Sequence, residues 1–326
     1  MSDDVFSKSW SEDFEPKLIV RSNVTSTSLG PAFSGFRPVR ETLYSYPYSQ
    51  VKAFAVAGAS ILKRGVEEME SNKTPALIHS QWSRGYFHWI TESLVRAIHV
   101  RDTRPDAIVV LPKNYNGFHS ASLSAFGIEF EYFTHHNVRF DDALISTCPK
   151  HYGTTGAKIL DGLRAEARRR LGKRLAGFER VYISRRKSRG RYIVNEDEVL
   201  DSLAGFGFVE IIAEDFSFEE QLEIFLNAKF IVSIHGAGLT NMVFMDPGSC
   251  VLELLPYRNG IFDLRPNTLS FKHDSCYLDL ARKMGHEYSF LQSEHDGSKF
   301  GRSHLSNLVI NCRKLVEKVE SMVSRK

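Results

Sequence analysis

Several features that would narrow the function are missing from this sequence. The chain has four cysteines, Cys148, Cys250, Cys276 and Cys312, which lie far apart and form no CxxC pair. This spacing predicts neither a zinc site nor a disulfide framework, and a reducing compartment is the simplest setting. No Asp-x-Asp stands at the end of a predicted strand, and the histidines lack the spacing of metal ligands. We therefore expect no bound metal and no other cofactor.

Strong net charge and long hydrophobic runs are also absent. The 326 residues contain 42 Lys and Arg against 39 Asp and Glu, and the net charge of +3 predicts no general attraction to nucleic acid. No stretch approaches the roughly 18 consecutive apolar residues that a membrane-spanning helix needs. The first residues, Met1-Ser-Asp-Asp, lack the basic and apolar regions of a secretory signal. We expect a cytoplasmic protein without a transmembrane segment, while peripheral membrane contact and the oligomeric state stay open.

The chain does contain two series of alternating strand and helix patterns. The first places strands at 76–80, 107–112, 128–133 and 143–147, with helices at 86–100 and 117–126. After a basic helix at 157–174, the second places strands at 180–184, 208–213, 230–234 and 250–255, with helices at 196–203, 217–228 and 238–245. Such alternation is typical of parallel sheets built from βαβ units. We predict an α/β protein with two Rossmann-like domains, residues 1–155 and residues 156–326, facing each other across a cleft.

The regions outside these series have less regular patterns. Residues 17–62 contain three short β-like runs, Lys17–Val20, Glu41–Tyr46 and Val51–Val56. An apolar stripe predicts a final helix over 304–323 that closes the fold, and residues 257–270 and 293–302 have the composition of loops. Asn195-x-x-Glu198 and Ser217-x-x-Glu220 both have the pattern of a capping box at a helix start.

The stretch from residue 230 to residue 241 is the most informative part of the chain. A buried strand runs directly into His235, then into Gly236, Ala237 and Gly238, and then into Thr240 and Asn241 at the start of a helix. Glycine lets a ligand approach the backbone closely, and a first helical turn leaves N–H groups unpaired. Those donors and the helix dipole suit a phosphate group. The alternative is a tight turn with a hydrogen-bonded histidine, because Gly-x-Gly is far short of a full dinucleotide-binding motif.

Basic residues follow the strand at 180–184, where a parallel sheet presents its ligand crevice. They are Arg185, Arg186, Lys187, Arg189 and Arg191. Arginine keeps its charge and binds phosphate oxygens in pairs. We assign Arg185 and Arg191 to a ligand, whereas the other three are typical of a solvated loop.

Two further residues are candidates for a nucleotide site. Glu253 interrupts an otherwise apolar strand, and a carboxylate at the end of that strand would accept both hydroxyl groups of a ribose. A structural pair with a neighbouring arginine is the alternative for Glu253. Asn195 joins the candidate set, although its place before a helix also suits an N-cap.

These motifs, taken in order, resemble the family-61 glycosyltransferases. The resemblance rests on residues 182–196, 220–221, 235–241, 247–249 and 252–254, and more weakly on Phe87–Glu92. It implies a GT-B fold and metal-independent, inverting transfer of a sugar from a nucleotide-sugar donor to a hydroxyl group of a glycan acceptor. The lack of a signal anchor makes the chain similar to bacterial members that build capsular or other surface polysaccharides.

Inverting transfer requires a base that takes a proton from the attacking hydroxyl. The predicted helix at 86–100 carries His88, Glu92 and Arg96 on one face. Spacing alone favours a solvated stripe with a Glu92–Arg96 pair, but family members often have His followed four positions later by Asp or Glu. The resemblance therefore implies that Glu92 is the base and that His88 orients the acceptor or supports the departing phosphate. His88 as the base is the alternative.

Two other functions stay open. A polysaccharide pyruvyltransferase with a GT-B-like fold would use phosphoenolpyruvate and would not need Glu253 for a ribose. A nucleic-acid-binding module would use the arginine clusters. The near-neutral net charge and the lack of a recognisable module count against that second function.

Overall fold

The computed structural model describes residues 13–44, 47–115, 117–151, 153–171, 177–188, 190–256, 276–297 and 306–325. These residues form a mixed α/β fold with two separate sheets. The chain divides into two compact units between Glu166 and Ala167, inside a single helix. Among the described residues, no helix is both long and apolar enough to cross a membrane.

The strands are β1 (Leu18–Thr27), β2 (Ala32–Ser34), β3 (Arg37–Val39), β4 (Glu67–Glu68), β5 (Thr74–Leu77), β6 (Ala107–Leu111), β7 (Phe130–Tyr132), β8 (Asn137–Ser146), β9 (Arg180–Ser184), β10 (Val209–Ile212), β11 (Phe230–Ile234), β12 (Cys250–Pro256), β13 (Glu287–His295) and β14 (Leu308–Val309). The α-helices are α1 (Pro47–Arg64), α2 (Tyr86–His88), α3 (Leu94–Thr103), α4 (Phe118–Ala125), α5 (Ala157–Leu171), α6 (Glu196–Ala204), α7 (Phe218–Asn227), α8 (Cys276–Lys283) and α9 (Cys312–Val323). A π-helix (Trp89–Ser93) joins α2 to α3, and 3₁₀ helices lie at Arg40–Thr42, Ala213–Asp215 and Ala237–Phe244.

The N-terminal unit is built on a mixed sheet with the strand order β3-β2-β1-β8-β5-β6-β7, and β4 pairs with β8. Strand β5 runs parallel to β6 and β8, and β6 runs parallel to β7, as the alternating pattern predicts. Strand β1 departs from that pattern, because it pairs antiparallel with both β2 and β8. This half therefore combines a parallel core with an antiparallel extension.

Two predicted β-like runs in this unit are not strands. Val51–Val56 lies inside α1, and Glu41 lies in the 3₁₀ helix Arg40–Thr42. Alternate positions of α1 from 53 to 59 are alanine, the best helix former, and Pro47 occupies the first helical position, where proline is favoured. These preferences outweigh the β-branched valines at 51 and 56.

The C-terminal unit has the strand order β10-β9-β11-β12-β13-β14 and is parallel except for β14. Strands β9 and β11 have the predicted bounds of 180–184 and 230–234. One face of the sheet packs Val232 and Leu252 against Leu203 of α6 and Leu315 of α9. The C-terminal helix thus buries its apolar stripe in the core.

The predicted ends of several elements differ from the structure. The helix expected over 304–323 begins at Cys312, because β14 precedes it and the Asn311 side chain accepts a bond of 3.1 Å from the Lys314 N–H as an N-cap. The helix expected over 238–245 is the 3₁₀ helix Ala237–Phe244. Residues 293–295, expected in a loop, belong to β13, and residues 257–270 lie outside the described part of the chain.

One of the two predicted capping boxes is present. Ser217 and Glu220 exchange both reciprocal bonds at the start of α7. Asn195 precedes α6, but its side chain does not cap that helix. Its amide instead donates to the Ile310 carbonyl and accepts from the Ile310 N–H, each at 2.9 Å.

Candidate functional site

Arg185 directly follows β9. It therefore lies at the side of the C-terminal sheet where the parallel strands have their carboxyl ends. Its guanidinium donates to the His235 carbonyl at 3.4 Å and to the Ser188 hydroxyl at 2.9 Å. None of the ion pairs among the described residues involves Arg185. The guanidinium is thus half-buried and held by a carbonyl and a hydroxyl, with no carboxylate in an ion pair with it among these residues.

Arg191 adds a second positive charge to the same place. Burial, followed by the charge of Arg191, lowers the pKa of the Arg185 guanidinium from its ordinary value. Arg191 has a backbone φ of 51°, one of two positive values among the described non-glycine residues. Such conformations cost energy and concentrate at functional sites. The positive charge of Arg191 therefore acts on the Arg185 guanidinium.

Glycine is needed at positions 236 and 238 for different structural reasons. A Cβ at Gly236 would lie 2.6 Å from Nη1 of Arg185, so the absence of a side chain allows the guanidinium to lie on the backbone. A Cβ at Gly238 would lie 2.9 Å from Cγ2 of Ile183, so this glycine permits close packing of the 3₁₀ helix on β9. Ala237, between them, is exposed. The sequence predicts that a ligand approaches the backbone of this turn closely. In the structure, the Arg185 side chain already occupies part of the space beside Gly236.

His235 follows β11 and is held by a buried acid. Its Nδ1 lies 2.5 Å from Oε1 of Glu253, whose side chain is fully buried, whereas the His235 side chain is 18% exposed. The Tyr288 hydroxyl donates to Oε2 of the same carboxylate. The Tyr277 ring packs edge-on against His235 with 5.1 Å between ring centroids, and burial raises the pKa of the Tyr277 phenol.

The remaining donor-site candidates occupy different positions, and Thr240 lies beside the Tyr277 ring that packs on His235. Thr240 and Asn241 are buried in the 3₁₀ helix, and Asn195 is bound to the backbone of Ile310. Arg186 pairs with Glu210 at 2.9 Å and with Asp197 at 3.3 Å, and Lys187 pairs with Asp215. Arg189 lies outside the described residues. The structure therefore brings together Arg185, Arg191, His235, Gly236 and Glu253.

A second candidate site lies in the N-terminal unit, around Glu92. This residue is fully buried, and its Oε1 accepts from the Gly153 N–H at 3.1 Å. Its Oε2 accepts from the Tyr44 hydroxyl and lies 3.3 Å from Nδ1 of His88. His88 is 23% exposed and also lies 3.2 Å from the Tyr44 hydroxyl. The carboxylate is thus held inside the protein, while the imidazole reaches the surface.

The helix that carries this pair is not regular. The Leu94 N–H bonds to the Trp89 carbonyl five residues back, which defines a π-turn over Trp89–Ser93. Arg96 is fully buried and donates from Nε to the Glu92 carbonyl at 3.1 Å. The Glu92–Arg96 carboxylate pair that spacing alone favours is therefore not formed. π-turns inside α-helices occur frequently at functional sites.

Aromatic rings surround His88. The centroid of the Trp82 ring lies 5.3 Å from that of His88 and 4.6 Å from that of Tyr44. Phe87 packs edge-on against His88 at 5.4 Å. The rings fix the position of the imidazole and leave it beside an apolar surface.

Several of these residues carry no signal in the sequence. Tyr44, Tyr277 and Tyr288 lie outside the motifs, and Gly153 contributes only a backbone N–H. In the sequence, only Glu253 indicates that His235 has a buried partner, because a carboxylate in an apolar strand requires a partner. Among the described residues, no group of three or more His, Cys, Asp or Glu side chains could hold a metal ion.

Comparison with characterised proteins gives partial matches. Over 117 residues the chain is 32% identical to the EGF domain-specific O-linked N-acetylglucosamine transferase of Mus musculus, a match that covers 34% of this chain and 20% of that protein. The Drosophila melanogaster protein of the same name is 34% identical over 111 residues, which cover 33% of this chain and 18% of that protein. Protein O-linked-mannose beta-1,4-N-acetylglucosaminyltransferase 2 of Xenopus laevis is 39% identical over 74 residues, which cover 22% of this chain and 13% of that protein.

The matched stretch is therefore about a fifth or less of the length of these relatives. The family model described as Glycosyltransferase 61 matches residues 86–252. That range is more than half of the chain, and it contains both His88 with Glu92 and Arg185 with His235. The chain belongs to the glycosyltransferase 61 family, a family of glycosyltransferase enzymes.

Proposed function

We propose that this protein is an inverting, metal-independent glycosyltransferase with a GT-B-like organisation. In this proposal the C-terminal unit binds a nucleotide-sugar and the N-terminal unit supplies the base. The acceptor hydroxyl loses its proton to the base, its oxygen bonds to the anomeric carbon, and the bond from that carbon to the diphosphate oxygen breaks. A glycosylated acceptor and a nucleoside diphosphate are the products.

The single observation that carries the donor site is Arg185 lying on the backbone of Gly236. Its charge is half-buried, is near that of Arg191 and has no carboxylate partner among the described residues. A diphosphate would relieve the repulsion between the two guanidinium groups and accept paired hydrogen bonds from them. Charge that accumulates on the departing diphosphate would be stabilised in the same way.

Glu253 takes a different role in this proposal from the ribose contact that its sequence position suggests. Both of its oxygens are engaged within the protein, by His235 and Tyr288. A buried carboxylate that accepts from Nδ1 fixes the histidine ring and directs Nε2 away from itself. We assign His235 to the diphosphate and Glu253 to the positioning of His235.

The geometry favours His88 over Glu92 as the base. Glu92 is fully buried and both of its oxygens have partners, whereas His88 has exposed surface and its Nδ1 faces Glu92. A histidine oriented by a carboxylate is a recurrent general base, because the carboxylate stabilises the imidazolium that forms on proton transfer. His88 would take the proton at Nε2.

The matched relatives suggest which sugar to test first. The names of the matched relatives specify N-acetylglucosamine as the transferred sugar, which makes a nucleotide-linked N-acetylglucosamine the first donor to test. We propose a glycan acceptor and a cytoplasmic enzyme of the bacterial surface-polysaccharide type.

A panel of donors tests the proposal directly. Thermal denaturation with UDP-, GDP-, CMP- and dTDP-linked sugars should identify one nucleotide that raises the melting temperature, since a ligand of the native state stabilises it by mass action. Transfer from that donor to an oligosaccharide should proceed equally in EDTA, with inversion at the anomeric carbon. A shift with phosphoenolpyruvate alone would indicate a pyruvyltransferase. Binding of any polyanion with steep salt dependence would indicate a nucleic-acid module.

A further inference from the structure

Helix α1 has an exposed face that is mostly apolar. Val51 is 71% exposed, Val56 is 50% exposed and Leu62 is 90% exposed. At 100° per residue these positions fall with the exposed Ala55 and Ala59 in a sector of about 140°. A solvated helix face is ordinarily polar, so this face requires another explanation.

The opposite face of α1 explains why the helix stays in place. Ala57 is fully buried, and the Phe54 ring packs edge-on against Phe33 with 5.5 Å between centroids. The Asn137 amide donates to the carbonyls of Ser60 and Gly65 at 3.3 Å and 2.9 Å. Because these contacts fix the inner face, the apolar residues are exposed by the fold itself.

Every charged residue in the sequence of α1 is basic. Lys52 and Lys63 lie within the same exposed sector as the apolar residues, and Arg64 ends the helix. None of the ion pairs among the described residues uses Lys52 or Lys63. Of the acidic residues that follow the helix, Glu67 lies 3.0 Å from His135 and Glu68 lies 4.0 Å from Arg139.

An exposed aromatic ring extends the apolar character beyond the helix. Phe36 lies in the turn between β2 and β3 and is 103% exposed. The same hairpin carries Phe33, which packs on Phe54 of α1. The hairpin and the helix are therefore one packed structure with exposed apolar side chains on both parts.

We propose that the exposed face of α1 lies on the surface of an anionic phospholipid membrane. Apolar side chains enter the boundary between headgroups and acyl chains, and the long side chains of the two lysines within the face extend to the phosphates. Positive charge with no acidic residue on the helix selects a negatively charged surface. The contact is peripheral and does not depend on the proposed enzymatic function.

Sedimentation of the full-length protein with lipid vesicles tests this proposal. The protein should pellet with vesicles of phosphatidylcholine and phosphatidylglycerol but not with phosphatidylcholine alone, and added salt should weaken the binding. Lys52→Gln with Lys63→Gln should reduce binding to the mixed vesicles by roughly tenfold or more. Val51→Ser with Leu62→Ser should reduce binding as well, and circular dichroism would verify that each variant is folded.

Two exposed lysines on another helix provide the matched control. Lys314→Gln with Lys318→Gln on α9 makes the same change in net charge and should leave vesicle binding unaltered. Equal loss in this control, or no binding by the unmodified protein, would overturn the proposal. So would a dimer in sedimentation velocity that Val51→Ser with Leu62→Ser dissociates, because the face would then be a contact between copies of the chain.

Discussion

Nδ1 of His88 lies 3.3 Å from Oε2 of Glu92, and the two side chains differ sharply in exposure, at 23% and 0%. Sequence spacing predicts both residues on one helix face, and the family resemblance implies Glu92 as the base, with His88 as the alternative. In the proposed mechanism their roles differ, because a fully buried carboxylate with partners on both oxygens is suited to orient a neighbour. The exposed imidazole is the group that a substrate can reach.

Substitution of each residue separates the two roles. We expect His88→Ala to reduce turnover by about 100-fold or more, in line with general-base contributions. Glu92→Gln should retain measurable turnover and move the acidic limb of its pH–rate profile to lower pH, since the imidazolium loses its carboxylate. Steady-state kinetics at saturating donor measure both effects. Normal turnover in His88→Ala with a collapse in Glu92→Gln would return the base to Glu92.

The Tyr44 hydroxyl should help to hold His88 and Glu92 in their relative positions. Tyr44→Phe keeps the ring against Trp82 but removes the contacts with Glu92 and His88. We expect a fall in turnover with nucleotide affinity unchanged, and a loss of about 1–3 kcal/mol in unfolding free energy, because a buried carboxylate loses a donor. Kinetics, calorimetric titration and denaturant unfolding measure these three quantities. Weakened nucleotide binding would show that Tyr44 acts elsewhere.

Two adjacent arginines provide a matched test of the donor site. Arg185→Ala should weaken nucleotide binding by about 1.5–3 kcal/mol, the contribution of a charge-assisted hydrogen bond. Arg186→Ala removes the same charge one residue later, where it is paired with Glu210 and Asp197, and should leave affinity unchanged. Calorimetric titration of the nucleoside diphosphate compares them. Equal affinities in both variants would exclude Arg185 from the site.

The two glycines of the turn should respond differently to alanine. In Gly236→Ala the new Cβ meets the end of the flexible Arg185 side chain, so we expect weakened nucleotide binding with the melting temperature preserved. In Gly238→Ala it meets Ile183 within a buried strand, and overpacking should cost about 1–3 kcal/mol of stability. In double-mutant cycles, the stability losses of Ile183→Ala and Gly238→Ala should be less than additive, whereas those of Ile183→Ala and Gly236→Ala should be additive. The opposite pattern of losses would contradict this assignment.

The buried His79 should make the free energy of unfolding decrease at acidic pH. Burial lowers the pKa of this histidine from 6.5 to about 4. The unfolded chain therefore binds a proton on His79 as the pH falls below 6.5, whereas His79 in the folded protein stays neutral until about pH 4. Stability is lost across that interval because the unfolded state binds more protons. The loss is at most about 3 kcal/mol. His79→Gln should flatten the pH dependence of unfolding free energy in this window, and an unchanged slope would assign it to other groups.

The predictable part of the fold is the part with strong local periodicity. Strands β9 and β11 have the predicted bounds, because continuous apolar runs between polar turns have few other solutions. Ser217 and Glu220 likewise marked a helix start through bonds within four residues. The strand prediction at Val51–Val56 was wrong. The β-branched residues suggested a strand, but the surrounding alanines favour the helix that the structure contains.

The site was predictable only where its residues adjoin these local signals. His235 and Arg185 follow strands, so their position at the sheet edge could be inferred. The contact between Glu253 and Tyr288 could not, because it joins neighbouring strands 35 residues apart. Gly153 gives no signal at all, since the atom that contacts Glu92 is a backbone nitrogen that every residue except proline possesses.

The π-turn at Trp89–Ser93 makes the proposed active site depend on chain length as well as on residue identity. A π-turn holds one more residue than an α-turn, so deleting one residue there would leave a regular helix. If the deleted residue lies between His88 and Glu92, such as Ile90, the carboxylate becomes the third residue after His88 instead of the fourth, and the contact between the two side chains changes. A single-codon deletion in this helix should thus abolish activity in a folded protein that keeps both His88 and Glu92.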